Sequence, residues 1–477
     1  PIPITLDTSQ RKVVTLQVQQ TRQFMGVYDA QGQPLSTTVW GVGTGTQVSS
    51  PGPTLLAYSD QTLTVNWQNK LPTKGHLLPV DTSLHMAELT SRPLSKGYVP
   101  LVMHLHGGHT QSMYDGLPGQ WFTQNPASPG ATGPKAVGPD FKTSSFVYDN
   151  DQQAATLWYH DHALGMTRLN VYAGLAGFYI LKNAQRLALE KAGVLPSGAY
   201  DLGAAIQDKA FTTDGQLYYP AYKSDTLPGQ FHDDGTPMTV GDMVPQAFYD
   251  ALGENAASAV PEFFGDVVLV NGMAWPKLNV AAGDMELRLL NGSDSRFYVL
   301  KLDNPNVGVT LVGTDGGLLP QARTLIDGDG SDEAQEFILL APGDRLEVVM
   351  DFSRLHNGDQ VRLLNVGPDY SPFQGVDSAG QLLGDARAAT ADQGVGQVMQ
   401  FLVDGRLKPF DASVHDGSVL NSRYLDLARD DNHDGMADAA STVRTLGLFE
   451  GSDAYGRVKP LLGTAEAGQL HSDMDTP

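Results

Sequence analysis

Two short stretches constrain this chain more than any other feature: LVMHLHGGHT at 101–110 and TLWYHDHALG at 156–165. Each holds two histidines separated by one residue, His104/His106 and His160/His162, among apolar and β-prone neighbours. On a strand, residues i and i+2 lie on one face, so each pair sets two imidazoles side by side. Neutral imidazole is the usual nitrogen ligand of copper, zinc and iron. A lone strand histidine is more often packed or solvated than ligating. Two such pairs among twelve histidines in 477 residues reverse that expectation and point to a metal site.

The surrounding sequence reads as strands. KVVTLQVQQ (12–20) and QTLTVNWQNKLP (61–72) alternate apolar and polar residues. DVVLVNGMAWPKLNV (266–280) carries an Asn271-Gly272 turn between apolar runs, a hairpin signal. MELRLLNGSDSRFYVLKL (285–302), LVGTDGGLLP (311–320) and FILLAPGDRLEVVMDFS (337–353) are further strands bounded by turn residues, as in a β-sandwich. The length predicts two to four domains. A net charge of −22 argues against nucleic acid or anionic membrane surfaces as partners. No run of eighteen apolar residues exists, so no membrane span is expected. The absence of cysteine leaves the redox compartment open.

His-Leu-His-Gly followed by Trp-Tyr-His-Asp-His resembles the multicopper oxidases, in particular the bacterial branch of spore-coat laccase, bilirubin oxidase and phenoxazinone synthase. The likeness is strongest at 51–72, 101–122, 156–181 and 266–353. It implies an all-β fold of consecutive cupredoxin-like Greek-key β-sandwich domains. Residues 1–183 would form the first, with both histidine pairs, and 184–393 the second, without copper ligands. Residues 394–477 would begin a third, incomplete in this chain and carrying an acidic insertion.

The resemblance also implies a laccase-like, copper-dependent oxidase that takes electrons from phenolic or aminophenolic donors and reduces dioxygen to water. By the same likeness His104 binds type 2 copper, His106 and His160 bind one type 3 copper, and His162 binds the other. Asp115, in SMYDGLPGQWF (112–122), is then a proton relay; without the likeness, Asp115-Gly116 is a common turn. The family's type 1 copper needs a cysteine, which this chain lacks, and after His162 its histidines never again come in pairs. A second polypeptide, or a C-terminal segment beyond Pro477, is therefore expected to complete the third domain and the copper set. Two other readings compete: a metal-ion oxidase acting on Mn(II), Cu(I) or Fe(II), and a non-enzymatic cupredoxin-fold scaffold or copper-binding protein. The location implied is secreted, periplasmic, or on the cell or spore surface.

Other residues carry weaker signals. His109 follows Gly107-Gly108 and is expected in a turn beside the site, and His76 and His85 in a solvent-exposed loop. Asp161, between two ligands, should face the opposite way and orient neighbouring groups. VYAGLAGFYIL (171–181) reads as a buried closing strand pair, and 184–193 as a short helix. FHDDGTP (231–237) and DGDGSDE (327–333) read as solvated turns, and 394–404 as the strand leading into the third domain. In ARDDNHDGMAD (428–438), Asp430, Asn432, Asp434, Met436 and Asp438 stand at ligand positions of an EF-hand-like loop, with Gly435 at the sharp turn. Calcium is thus a possible structural ion, although Ser441 replaces the usual final Glu.

Overall fold

A computed structural model describes residues 2–84, 86–124, 135–331, 333–423, 446–466 and 469–471. The alternation in Val13–Tyr28 buries Val14, Leu16 and Val18 and turns Thr15 and Gln17 outward, which makes this long strand one side of a sandwich. It pairs with Pro34–Thr44 and Leu63–Asn69 in a five-stranded sheet. The opposing five-stranded sheet runs in the order Thr5–Asp7, Thr54–Tyr58, Ala176–Lys182, Ala155–Asp161, Met103–His106. Both histidine pairs therefore sit at one edge of this second sheet. Trp40, Trp67, Leu105, Leu157, Tyr159 and Tyr179 fill the space between the two layers.

Tyr159, between His160 and Trp158, shows how tightly that core holds the strand Ala155–Asp161. Its hydroxyl donates to the Pro53 carbonyl at 2.8 Å. Gly52 and Gly177 leave the room for it, since a Cβ on either would overlap the phenolic oxygen.

A second sandwich follows. One sheet runs Met273–Ala274, Val267–Val270, Asp201–Phe211, Asp284–Asn291, Arg345–Asp351, Gly308–Thr314, Gly317–Ile326. The other runs Lys277–Val280, Gln397–Val403, Gln360–Asn365, Tyr298–Leu302, Ile338–Leu340. Asn271 and Gly272 adopt φ of 51° and 74°, the left-handed conformations of a tight hairpin turn.

Two expectations are corrected. Gln397–Val403 does not lead into a third domain: it pairs with Lys277–Val280 and Gln360–Asn365, burying Val398, Phe401 and Val403 in the second core. The boundary expected at 393/394 thus falls inside the second sandwich's closing segment. The run at 171–181 is not a strand pair. Thr167–Ala173 is a helix that ends at Gly174, where φ is 131°, and only Ala176–Lys182 is a strand. A continuous apolar run has no period to separate the two states. Residues 221–262 hold a hairpin (Thr226–Phe231, Pro237–Thr239) and the helices Val240–Met243 and Gln246–Leu252. Beyond them, Leu446–Ser452, Val458–Glu466 and Gln469–His471 form a separate three-stranded antiparallel sheet.

The two sandwiches are tied by a buried ionic knot. Arg288 binds Asp201 and Glu347, both at 2.6 Å, and Lys182 binds Glu190 at 2.7 Å and Asp201 at 3.1 Å. Arg186, from the helix Ala184–Lys191, binds Glu190 at 2.7 Å, Glu347 at 3.2 Å, and Glu286. Thr156, on the His160 strand, accepts from Arg288 at 2.8 Å and donates to Glu347 at 2.7 Å. Burial pushes Asp201 up, but Arg288, Arg186 and Lys182 outweigh it and hold its carboxyl below the usual range. Three cations face four carboxylates, and burial raises Glu286 to about 7 against the pull of Arg186 and Arg288.

Replacing Arg288 with Met should cost about 3–5 kcal/mol in denaturant unfolding, because it leaves carboxylates buried without their partner. Glu286 should behave otherwise. Its proton is held in the fold up to about pH 7 but only to its ordinary 4.5 when unfolded. Its contribution is therefore full below pH 4.5 and is lost as pH rises through 7. Glu286→Gln should remove that loss, so its stability relative to the parent rises between pH 4.5 and 7; parallel pH profiles would refute the assignment.

Candidate metal centre

The centre is made by two antiparallel strands in a fixed register. Met103–His106 pairs with Ala155–Asp161 so that His104 stands opposite His160 and His106 opposite Trp158. His162 lies one residue past the strand's end, where its N–H donates to the Val102 carbonyl at 2.8 Å. The His104 ring centre is 5.8 Å from His106, 5.5 Å from His160 and 5.0 Å from His162. Nδ1 of His106 faces Nε2 of His160 at 3.2 Å. Nitrogens of His104, His106 and His160 all lie within 4.8 Å of one another, the one such group of three found among the described residues.

Backbone carbonyls orient the rings. Nδ1 of His104 donates to the Asp115 carbonyl at 2.5 Å, and Nδ1 of His160 donates to the Asp161 carbonyl at 2.7 Å. Each bond leaves Nε2 as the free lone pair. Trp158 packs its ring 4.2 Å from His160 and 5.2 Å from His106, centre to centre. Asp161 accepts from the Val102 and Ala163 amides at 3.1 and 3.0 Å, locking the two strand ends together.

Burial favours the neutral form of His106, His160 and His162. It lowers His160 to about 3 and, helped by the positive charge of Arg345, lowers His106 to about 4; His162 is lowered as well, again chiefly by burial. Neutral rings are ligands rather than cations at physiological pH. Nδ1 of His162 is buried without a protein partner. A half-buried, all-nitrogen donor set with an orphaned nitrogen fits a copper centre. The histidines open on a cavity of about 460 Å³ whose other walls include Arg168 and Tyr172 from the first sandwich and Lys209, Ser293 and Asp294 from the second.

Asp115 lies beside this cluster. Its carboxylate accepts from Thr110 and sits 3.5 Å from Nδ1 of His104, partly open to solvent. His109 is exposed and faces Asp151 at 3.7 Å, away from the cluster. His76 corrects the expectation of a solvated loop residue. It is enclosed edge-on by Trp40 at 4.4 Å and held by Asn170 at 3.0 Å, and burial lowers it to about 4. His85 and the candidate calcium ligands Asp430, Asn432, Asp434, Met436 and Asp438 lie outside the described residues.

Sequence reasoning missed the reach of the second sandwich into the site. Arg345 and Gly343 stand against the His106 end of its strand, and no local motif marks them. The strand around Arg345 was legible as a strand, but which histidine it faces depends on how the two sandwiches pack.

Residues 98–186, which include all four histidines, match the family model described as multicopper oxidase. A laccase of Bacillus stratosphericus is 38% identical over 309 residues, covering 65% of this chain and 51% of the relative. A laccase of Bacillus subtilis (strain 168) is 33% identical over 412 residues, covering 86% of this chain and 65% of the relative. The chain thus spans between about half and just under two thirds of the length of these relatives. In fold it is similar to the McoA multicopper oxidase of the hyperthermophile Aquifex aeolicus, with a TM-score of 0.59 and 21% identity over 97% of this chain and 73% of that one. Residues 98–186, with both histidine pairs, thus carry a multicopper oxidase domain, and over most of its length the chain is similar to laccases.

Proposed function

We propose that this chain is the dioxygen-facing part of a laccase-like oxidase, one that oxidises phenolic or aminophenolic donors and reduces dioxygen to water. The observation that carries this reading is the convergence of four imidazoles, His160 buried and the other three half-buried, on one cavity. His104 would hold type 2 copper, His106 and His160 one type 3 copper, and His162 the other. Copper bound there supplies one-electron redox chemistry toward dioxygen. The 477 residues contain no cysteine, so a thiolate-bound copper that accepts electrons from the donor would be carried on further polypeptide.

The chain's own groups would do the rest. The carbonyls of Asp115 and Asp161 fix which ring nitrogen of His104 and His160 is free. Trp158, packed against His160 and His106, would limit the approach of water from that side. The Asp115 carboxylate, between solvent and the His104 ring, would pass protons toward the cavity.

The first measurement is the intact mass of every polypeptide in the purified protein, with its copper content and its oxygen uptake in the presence of 2,6-dimethoxyphenol. Copper together with donor-dependent oxygen uptake is expected, as is a cysteine-bearing polypeptide. His106→Ala and His160→Ala should abolish the uptake. Asp115→Asn should slow it roughly 100-fold or more, with a larger solvent isotope effect, if the carboxylate moves protons. A complete preparation that holds no copper and consumes no oxygen would leave the scaffold reading in its place.

A further inference from the structure

We propose that Arg345, carried by the second sandwich, is a positioning residue of the metal centre: its guanidinium clamps the turn after His106 to the strand that bears His160. The proposal rests on the copper-centre reading for its consequence, but its geometry stands independently.

Arg345 opens the strand Arg345–Asp351 and is only 3% exposed. Its Nε donates to the Thr156 carbonyl at 3.0 Å, four residues before His160 on the same strand. Its Nη1 donates to the Gly343 carbonyl at 2.7 Å. Its Nη2 lies against Gly107, the residue after His106, so closely that a Cβ there would come within 2.8 Å of it. Gly107 has φ of 85°, a conformation that other residues rarely adopt, so the turn and the close approach call for the same small residue. Gly343, which the guanidinium holds, stands in turn beside His106, where a Cβ would meet Cε1 of the imidazole at 3.7 Å.

One planar group therefore touches the His106 turn, the His160 strand and the loop that backs the His106 ring. A fork of fixed donors suits that task and a lysine's single ammonium does not. Asp315 anchors the far side of the clamp. Its carboxylate accepts from the Arg345 amide at 2.6 Å and lies 3.3 Å from Nη1, and it is half-exposed to solvent. The two histidines whose nitrogens face each other at 3.2 Å are thus held at that distance partly from a domain whose described residues carry no cluster of metal ligands.

The test compares the protein, with all its polypeptides, as parent and as Arg345→Lys, Arg345→Met and Asp315→Asn. In the copper-free form, amide hydrogen exchange over residues 101–110 should quicken by roughly tenfold in both Arg345 variants, while peptides from the far sheet of the first sandwich stay at parental rates. In the loaded form, copper release to EDTA should be roughly 10–100-fold faster in both, with Asp315→Asn between them and the parent. A purely structural role would lower the unfolding midpoint and raise exchange everywhere alike. If Arg345→Met does not fold, the other two variants decide, since Arg345→Lys keeps the charge and Asp315 is at the surface. Parental exchange and parental copper release in Arg345→Lys and Asp315→Asn overturn the proposal. A parent that takes up no copper overturns the oxidase reading instead, and the exchange data alone then decide whether the clamp exists.

Discussion

The candidate metal centre depends on one antiparallel pairing, four residues long, between Met103–His106 and Ala155–Asp161. A two-residue period on each strand puts imidazoles on one face, and the register then stacks His104 directly across from His160. The same alternation sends Leu105, Leu157 and Tyr159 the other way, into the core between the sheets. Ligand geometry and hydrophobic core are two faces of the same strands, so whatever stabilises the core also sharpens the site.

That pairing lies at a sheet edge, and an edge is the part of a sandwich least constrained by neighbours. The second sandwich supplies the constraint. Its strand Arg345–Asp351 presents Arg345 and Glu347, two residues apart and so on one face, to Thr156 of the ligand strand. Arg288 reaches the same threonine from the neighbouring strand. A buried knot of this kind adds little net stability compared with apolar packing, yet it tolerates few alternative arrangements. Its value here is geometric: it fixes the strand that pairs with the edge, Ala155–Asp161, against a second body.

Much of this was legible in the sequence, and the boundary of legibility is physical. The histidine pairs, the Asn271-Gly272 hairpin and the alternating strands are local patterns, and each appears where its pattern placed it. Asp161 points away from the ligand set, as alternation requires, and ties backbone amides instead. Features decided by long-range packing were not legible. The run at 171–181 has no period to divide helix from strand. His76 looks like a loop residue until Asn170 and Trp40, distant in sequence, close around it. The pairing of Gln397–Val403 with the second sandwich depends on partners more than thirty residues away.

Because consecutive side chains on the ligand strand alternate between imidazole and core, that strand has no spare length. A single inserted or deleted residue between Thr156 and His160 would exchange the two faces, delivering Tyr159 and Asp161 to the cavity and burying histidines between the sheets. Descent with change in this protein is therefore channelled. Length variation is admissible in exposed turns such as residues 232–236, but not within the strand. The metal chemistry and the reading frame of the sheet are inherited as one unit.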